Sequence, residues 1–193
     1  MSAPPTLLFL VGPPAVGKMT VGREIARRTG LVLSHNHRTI DPVLDFFPFG
    51  SPPFLRLVRD LRRRIFEEVA ASDLPGMIFT YVWAYDLPSE QVTLDEYAEP
   101  FRRRGGRVLF AELAATQAER LRRSATAERL AEKPHMRDVE AAQRRLTEWD
   151  RQYRLSSAGE FDGRSDYVTI ENTSLTPDEA AERIIRRFDL RAE

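Results

Sequence analysis

The feature that most constrains this chain is a glycine-rich loop between an apolar run and an amphipathic helix. The loop has the sequence Gly-Pro-Pro-Ala-Val-Gly-Lys from Gly12 to Lys18, and it fits the pattern GxxxxGK. The run 6–11 before it is typical of a strand buried on both faces. Residues 18–29 after it are predicted to form a helix that Gly30 ends. In this context backbone N–H groups of the loop and of the first helical turn form a cradle for phosphate oxygens.

Each residue of this loop is therefore a candidate nucleotide-binding residue. Glycines permit the backbone angles and the close approach that a phosphate needs, and Lys18 places a cation on the β- and γ-phosphates. The alternative is a glycine turn that matches by chance, against which the strand, the lysine and the helix all argue. Contacts to a nucleoside triphosphate, taken here as ATP, are predicted from Gly12, Pro13, Pro14, Ala15, Val16, Gly17, Lys18, Met19 and Thr20.

One position of the loop departs from the usual pattern. A serine or threonine that holds Mg²⁺ usually follows the lysine, whereas here Met19 follows it and Thr20 comes next. The stretch Gly-Pro-Pro-x-x-Gly-Lys-x-Thr resembles that of adenylate kinase, where a non-hydroxyl residue also follows the lysine. The resemblance implies that Thr20 serves phosphate and metal, with Mg²⁺ held largely through water. The alternative is that direct metal ligation is lost and turnover is poor.

Composition narrows the class of protein. With 193 residues the chain suits one domain over 1–193, and 42% hydrophobic and 30% charged residues are ordinary for a globular protein. Lys+Arg and Asp+Glu number 29 each, so no positive field favours nucleic acid or an anionic membrane. Without cysteine there are no disulfides or thiolate sites. The apolar stretch 7–11 is too short for a signal or a membrane span. We expect a cytoplasmic protein, with its oligomeric state left open.

Apolar runs alternate with helical patterns along the chain, which is typical of a parallel sheet covered by helices. Strands are predicted at about 6–11, 31–34, 77–83, 108–113 and 167–170. Helices are predicted at about 18–29, 53–72, 93–104, 116–124, 136–155 and 176–188. Residues 35–53 are predicted to be irregular, and 125–135 to be a mobile polar loop. We therefore expect an α/β fold with five strands.

The order of these elements resembles that of the nucleoside-monophosphate-kinase-like P-loop proteins. This group includes adenylate, shikimate and gluconate kinases and chloramphenicol phosphotransferase. The resemblance covers nearly the whole chain in element order, but only the phosphate loop matches in residues. It implies a five-stranded parallel sheet in order 2-3-1-4-5, an acceptor-binding segment at about 35–72 and a lid at about 124–135. It also implies transfer of the γ-phosphoryl group of ATP, with Mg²⁺, to a small-molecule acceptor.

The resemblance also implies roles for residues near the lid and after the last strand. In the relatives an arginine near the start of the lid stacks on adenine, and another meets the transferring phosphate. Arg123 and Arg129 are the matching positions, and their delocalised charge suits that transition state. Each could equally lie on a solvated helix face. Asn172 and Thr173 follow strand five, where relatives contact the adenine edge, and turn or capping roles are the alternative.

Polar residues cluster after the second strand, where an acceptor would bind. The candidate acceptor-binding residues there are His35, Asn36, His37, Arg38 and Asp41. Two alternatives stay open, namely a metal site on the histidine pair and structural hydrogen bonding of neutral histidines. Asp86 is the carboxylate nearest to the end of strand three, and is a candidate base or ligand of metal-bound water. Aromatic residues around it are predicted to form either a stacking wall or core.

The helix at 53–72 carries both an apolar stripe and a run of arginines. The stripe predicted to face the core consists of Phe54, Val58, Leu61, Ile65 and Val69. The arginines at 56, 59 and 62–64 are interpreted as a solvated face, with Arg59 or Arg56 as a candidate partner for an anionic acceptor.

Two other function classes stay open at this stage. One is a non-catalytic, switch-type ATP- or GTP-binding protein. Two features favour it, namely Met19 and the lack of the aspartate-glycine pair that relatives carry after strand three. The other is a nucleic-acid end kinase, which the balanced charge disfavours.

Overall fold

A five-stranded sheet, parallel throughout, lies at the centre of the computed structural model, which describes residues 4–126 and 138–190. The strands are β1 Thr6–Val11, β2 Val32–His35, β3 Gly76–Tyr81, β4 Arg107–Ala114 and β5 Tyr167–Glu171. Their spatial order is β2-β3-β1-β4-β5. The predicted α/β fold and the order 2-3-1-4-5 are confirmed.

Helices connect the strands and cover the sheet. Within the described ranges they are α1 Lys18–Thr29, α2 His37–Leu44, α3 Pro52–Ala71, α4 Pro88–Arg102, α5 Gln117–Ser124, α6 Val139–Gln152 and α7 Pro177–Phe188. In that part of the chain no helix is long and apolar enough to cross a membrane. Two of the predicted helix caps are confirmed. Thr116 accepts a hydrogen bond from the Glu119 N–H, and Thr176 and Glu179 form a capping box.

Two helices differ from the prediction. The segment predicted to be irregular contains α2, because Ile40 and Val43 give it an apolar face even though Pro42 lies inside it. Helix α4 begins at Pro88 rather than near Thr93, since proline suits the first helical position. The Thr93 hydroxyl donates to Ser89 O as an ordinary helical residue does, so the predicted cap at Thr93 was wrong.

The core lies in two layers, one on each face of the sheet. Because successive side chains of a strand point to opposite faces, Leu8 and Leu10 of β1 pack toward α1 and α7, whereas Leu7 and Phe9 pack toward α3 and α4. All six residues of β1 are buried, as its continuous apolar run predicted. A smaller cluster joins α2 to α3 through Ile40, Val43, Phe54 and Val58.

The buried stripe of α3 differs from the predicted one. Its buried residues follow at intervals of four: Phe54, Val58, Arg62, Phe66 and Ala70. Leu61 is instead 39% exposed. The interpretation of Arg62 as a solvated residue was therefore wrong, because this arginine occupies a core position of the helix.

Candidate functional site

The loop between β1 and α1 has an unusual backbone that its glycines make possible. Gly12 and Gly17 have φ angles of 133° and 106°, and Ala15 has a φ of 63°, which is uncommon for a residue with a side chain. A Cβ atom on Gly12 would lie 2.3 Å from the carbonyl oxygen of Leu113 in β4. The loop therefore packs tightly against the end of β4 and turns directly into α1, whose first N–H groups lack intrahelical partners.

The Lys18 ammonium lies against this loop. Its Nζ atom donates to the carbonyl oxygens of Gly12 at 2.6 Å and Pro13 at 2.8 Å. Thr20 Oγ1 donates to Gly17 O at 2.9 Å. Met19 and Thr20 both line the adjoining cleft. The structure thus brings the predicted cation and the predicted hydroxyl to the same loop.

Arg123 clamps the phosphate loop to the segment that follows β5. Its Nη1 atom donates to Val16 O at 2.9 Å and to Asn172 Oδ1 at 3.4 Å, while Nη2 donates to Asn172 O at 2.8 Å and Thr173 O at 3.2 Å. Its Nε atom donates to Glu119 at 2.7 Å. All five guanidinium donors therefore have partners, so the edge of this side chain is occupied and only its flat faces stay available for stacking.

Asn172 completes the clamp from the other side. This residue is only 3% exposed, and its Nδ2 atom donates to Val16 O at 2.9 Å, so that one carbonyl accepts from both side chains. Arg122 and Arg123 both donate to Glu119 and hold the pKa of its carboxyl at about 2, far below the usual range. Because that carboxylate is ionised and paired, it is a weak proton acceptor. Asn172 and Thr173, the predicted adenine contacts, both line the cleft.

We expect Arg123→Ala to lower the free energy of unfolding by about 1–3 kcal/mol, because buried carbonyls of the loop lose their partner. ATP binding should weaken by about tenfold, because the guanidinium face available for stacking is lost and such a contact contributes up to about 2 kcal/mol. Urea denaturation and calorimetric titration measure the two effects. Arg123→Lys should not restore them, since an ammonium cannot reproduce the planar fork. Arg144→Ala, which removes an exposed arginine of α6, is the control, and an equal loss there would contradict the clamp.

A single cleft of about 1330 Å³ runs from the phosphate loop to the space between α2, α3 and α4. His35, Asn36 and His37 line it, and so does Arg59, whose guanidinium pairs with Glu96 at 2.6 Å. The outer wall is apolar and includes Ile40, Leu44, Phe49, Phe54, Leu55 and Val58. Of the predicted acceptor residues, these four line the same cleft as the phosphate loop.

Three predicted residues lie outside the cleft, and a fourth lies outside the described part of the chain. Arg38 and Asp41 are exposed and do not line the cleft, although Asp41 Oδ1 lies 3.4 Å from His37 Nδ1. Asp86 is also exposed and outside the cleft, where its carboxylate accepts from the Arg154 N–H at 3.0 Å. The chain turns away after β3, which removes Asp86 from the position that its sequence neighbourhood implied. Arg129 lies outside the described residues, as does the predicted lid beyond residue 126.

The aromatic residues near Asp86 divide between core and cleft. Trp83 is 3% exposed and stacks on Tyr85, with ring centroids 4.2 Å apart. Only Tyr81, at the end of β3, lines the cleft. Of the two predicted roles, a stacking wall or core, Trp83 therefore has the core role.

Sequence reasoning missed Arg62, which is only 7% exposed yet lines the cleft. Its Nε atom donates to Thr39 Oγ1 at 2.9 Å, and Nη2 donates to the side-chain oxygen of Asn36. Its guanidinium carbon lies 5.4 Å from the centre of the Phe79 ring. The arginine is thus held by neutral partners, and it fixes α2 and the end of β2 against α3. Its four-residue spacing from Val58 and from Phe66 was the signal in the sequence, and this signal competes with the predicted stripe through Leu61.

Sequence reasoning also missed Glu90, in the first turn of α4. Its carboxylate lies beside the Tyr81 hydroxyl, and both side chains line the cleft. Burial raises the pKa of Glu90, against the opposing effects of the Tyr81 hydroxyl and the Arg62 charge. Burial and the Glu90 carboxylate together raise the pKa of Tyr81, so its hydroxyl stays protonated at neutral pH.

Helix α6 adds two further side chains that the sequence did not indicate. Arg145 and Trp149 line the cleft from this helix, which α5 supports through an ion pair between Arg120 and Asp150 at 2.6 Å. Within residues 4–126 and 138–190, no group of three or more histidines or carboxylates is placed to hold a metal ion. A metal centre on His35 and His37 therefore gains no support from the described part of the chain.

Several solved structures share this architecture. An APS kinase from Mycobacterium tuberculosis, in complex with AMPPNP and APS, has a TM-score of 0.59 at 13% identity over 96% of this chain and 98% of that one. A gluconokinase from Sinorhizobium meliloti 1021 has a TM-score of 0.57 at 14% identity, over 98% and 94%. A shikimate kinase from Acinetobacter baumannii, in complex with shikimate, has a TM-score of 0.52 at 19% identity, over 94% and 91%.

The chain has the fold of P-loop small-molecule kinases. No protein-family model matches it, and no curated protein matches it either. Identities of 13–19% show a shared kinase fold and nothing about the acceptor.

Proposed function

We propose that the protein transfers the γ-phosphoryl group of ATP to a small-molecule acceptor. The observation that carries the proposal is the continuous cleft, in which the phosphate loop and a polar pocket share one space of about 1330 Å³. A triphosphate on the loop and a second molecule beside His35 and Asn36 would face each other there. Phosphoryl transfer depends mainly on such positioning and on charge stabilisation. The APS kinase with AMPPNP bound supports the choice of nucleotide.

The loop residues would hold the triphosphate. Lys18 would move its ammonium from the carbonyl oxygens of the loop to the β- and γ-phosphates, which are stronger acceptors. Mg²⁺, when bound, neutralises phosphate charge. Thr20 would hold it directly or through water, because its hydroxyl donates to Gly17 O and keeps its oxygen lone pairs for a cation.

The arginines near the phosphate loop would have two different roles. Arg123, with its donors occupied, would stack a flat face on the adenine, next to Asn172 and Thr173. Arg145 lies exposed on α6 and lines the cleft, so it and Arg129 are the candidates for contact with the transferring phosphoryl group. A delocalised cation there stabilises the charge that spreads over the phosphoryl oxygens.

The test is ATP consumption across a panel of acceptors. Purified protein with ATP and Mg²⁺ is incubated with nucleoside monophosphates, sugar acids and neutral alcohols, and products are detected by mass spectrometry. We expect a phosphorylated product with one class of acceptor, and none with the Lys18→Ala variant. Binding of ATP without a product from any class would contradict the proposal.

A second candidate is a switch-type protein that binds ATP or GTP without turnover. The observation that favours it is Met19 in place of the usual hydroxyl residue, together with the lack of the aspartate-glycine pair that relatives carry after strand three. Such a protein would bind a nucleoside triphosphate in calorimetric titration yet release no ADP over hours.

A further inference from the structure

The carboxylates of the cleft are candidate proton acceptors. Among the described residues three line it: Glu90, Glu119 and Glu148. Glu119 is paired with two arginines, which hold its pKa at about 2. Glu148 lies exposed on α6, the helix that packs against α5. Glu90 is therefore the carboxylate on the side where α3 and α4 form the acceptor pocket.

The position of Glu90 follows from strand register. Tyr81 of β3 pairs with Val11 of β1, the residue that immediately precedes the phosphate loop. Neighbouring strands lie about 4.8 Å apart, so the end of β3 adjoins the loop. Because the Glu90 carboxylate lies beside the Tyr81 hydroxyl, it occupies the same end of the cleft.

Glu90 is half-buried, and its partner is a hydroxyl rather than a cation. No described arginine, lysine or histidine forms an ion pair with it, and the charged or titratable groups that act on it are Tyr81 from β3 and Arg62 from α3. Partial burial of a carboxylate without an ion pair costs free energy, and such groups cluster at functional sites.

The pocket around Glu90 fits a neutral acceptor better than a phosphate. Arg62 is held by Thr39, Asn36 and the Phe79 ring, and Arg59 is paired with Glu96. The remaining wall combines apolar residues with the neutral polar side chains of Asn36, Thr80 and Thr93 and with two histidines. A phosphate placed there would meet a like charge on Glu90, and it would have to break existing contacts to recruit either arginine.

We propose that the acceptor is an uncharged hydroxyl compound, and that Glu90, oriented by Tyr81, receives its proton. This inference rests on the proposed phosphotransferase function. In the step, the acceptor oxygen forms a bond to the γ-phosphorus while the bond from that phosphorus to the β–γ bridging oxygen breaks. The hydroxyl proton passes to the Glu90 carboxylate, and ADP leaves.

Water is the probe, because it is the smallest hydroxyl acceptor and can enter the pocket. We expect the wild-type protein with ATP and Mg²⁺ to hydrolyse ATP slowly, and Glu90→Gln to reduce that rate by about 100-fold, the scale of a lost general base. The affinity of the variant for ATP should stay within twofold of that of the wild type. Its melting temperature should stay within about 2 °C of the wild-type value. Glu99→Gln is the matched control. Glu99 also lies on α4, but it pairs with Arg103 and does not line the cleft.

The pH profile separates a base from a structural residue. Since the pKa of Glu90 is raised, wild-type hydrolysis should fall as the pH drops through that value, because a protonated carboxyl cannot accept a proton. The residual activity of Glu90→Gln should lack this acid limb. Hydrolysis by Glu90→Gln at the wild-type rate, or an unchanged acid limb in that variant, would overturn the assignment.

AMP as acceptor distinguishes failure of this inference from failure of the proposed function. If wild-type protein and Glu90→Gln phosphorylate AMP equally well, phosphoryl transfer stands and the neutral-acceptor inference is wrong. If wild-type protein hydrolyses ATP no faster than Lys18→Ala does, proton transfer from a hydroxyl to Glu90 is excluded. Titration with ATP then tests the nucleotide site separately.

Discussion

Lys18→Ala is expected to weaken ATP binding by roughly 100-fold or more. Hydrogen bonds to charged groups contribute about 1.5–3 kcal/mol each, so two bonds to the β- and γ-phosphates correspond to at least about 3 kcal/mol. The ammonium now donates to Gly12 O and Pro13 O, so it lies within reach of any anion on the loop. Isothermal titration with ATP measures the loss.

The Lys18 experiment needs controls for loop integrity and for charge. Lys18→Met keeps most of the aliphatic side chain and should lose as much affinity as Lys18→Ala, because the charge is what binds. Arg63→Ala removes an exposed cation of α3 and should leave the affinity within twofold. Unchanged ATP affinity in both Lys18 variants, with melting temperatures near wild type, would show that this loop does not bind the triphosphate.

The phosphate loop could be predicted from the sequence because its signals are local. The loop from Gly12 to Thr20 is contiguous, and each residue type follows from the backbone or charge that a phosphate requires. The same holds for the cap at Thr176, which needs only Glu179 three residues later. Such features depend on neighbours in sequence, so one chain suffices to recognise them.

The acceptor half could not be predicted because it depends on contacts between distant segments. Arg62 and Asn36 are 26 residues apart, and helix α3 offers two competing apolar stripes that share Phe54 and Val58. Only the packed structure decides that Arg62, rather than Leu61, points inward. Likewise the turn after β3 takes Asp86 to Arg154 and leaves Glu90 at the cleft, and no local pattern distinguishes these two carboxylates.

A buried ion pair joins the two helices that flank the predicted lid. Arg120 of α5 is 6% exposed and donates to both carboxylate oxygens of Asp150 in α6, at 3.1 and 2.6 Å. Gln117 adds a third hydrogen bond to Asp150, at 2.7 Å. This pair holds α6, and with it Arg145 and Trp149, beside the helix that carries Arg123.

Asp150→Ala is expected to lower the free energy of unfolding by about 3–5 kcal/mol, because it leaves the Arg120 guanidinium buried without its partner. Urea denaturation measures the change. The double variant Arg120→Met with Asp150→Leu should recover much of the loss, since the unpaired charge is then gone. Glu140→Ala, which breaks the exposed pair with Arg144, should change the stability by less than about 1 kcal/mol. If Asp150→Ala lowers the stability as little as Glu140→Ala does, or if the double variant recovers none of the loss, the Arg120 charge is not desolvated. Other contacts would then hold α6 against α5.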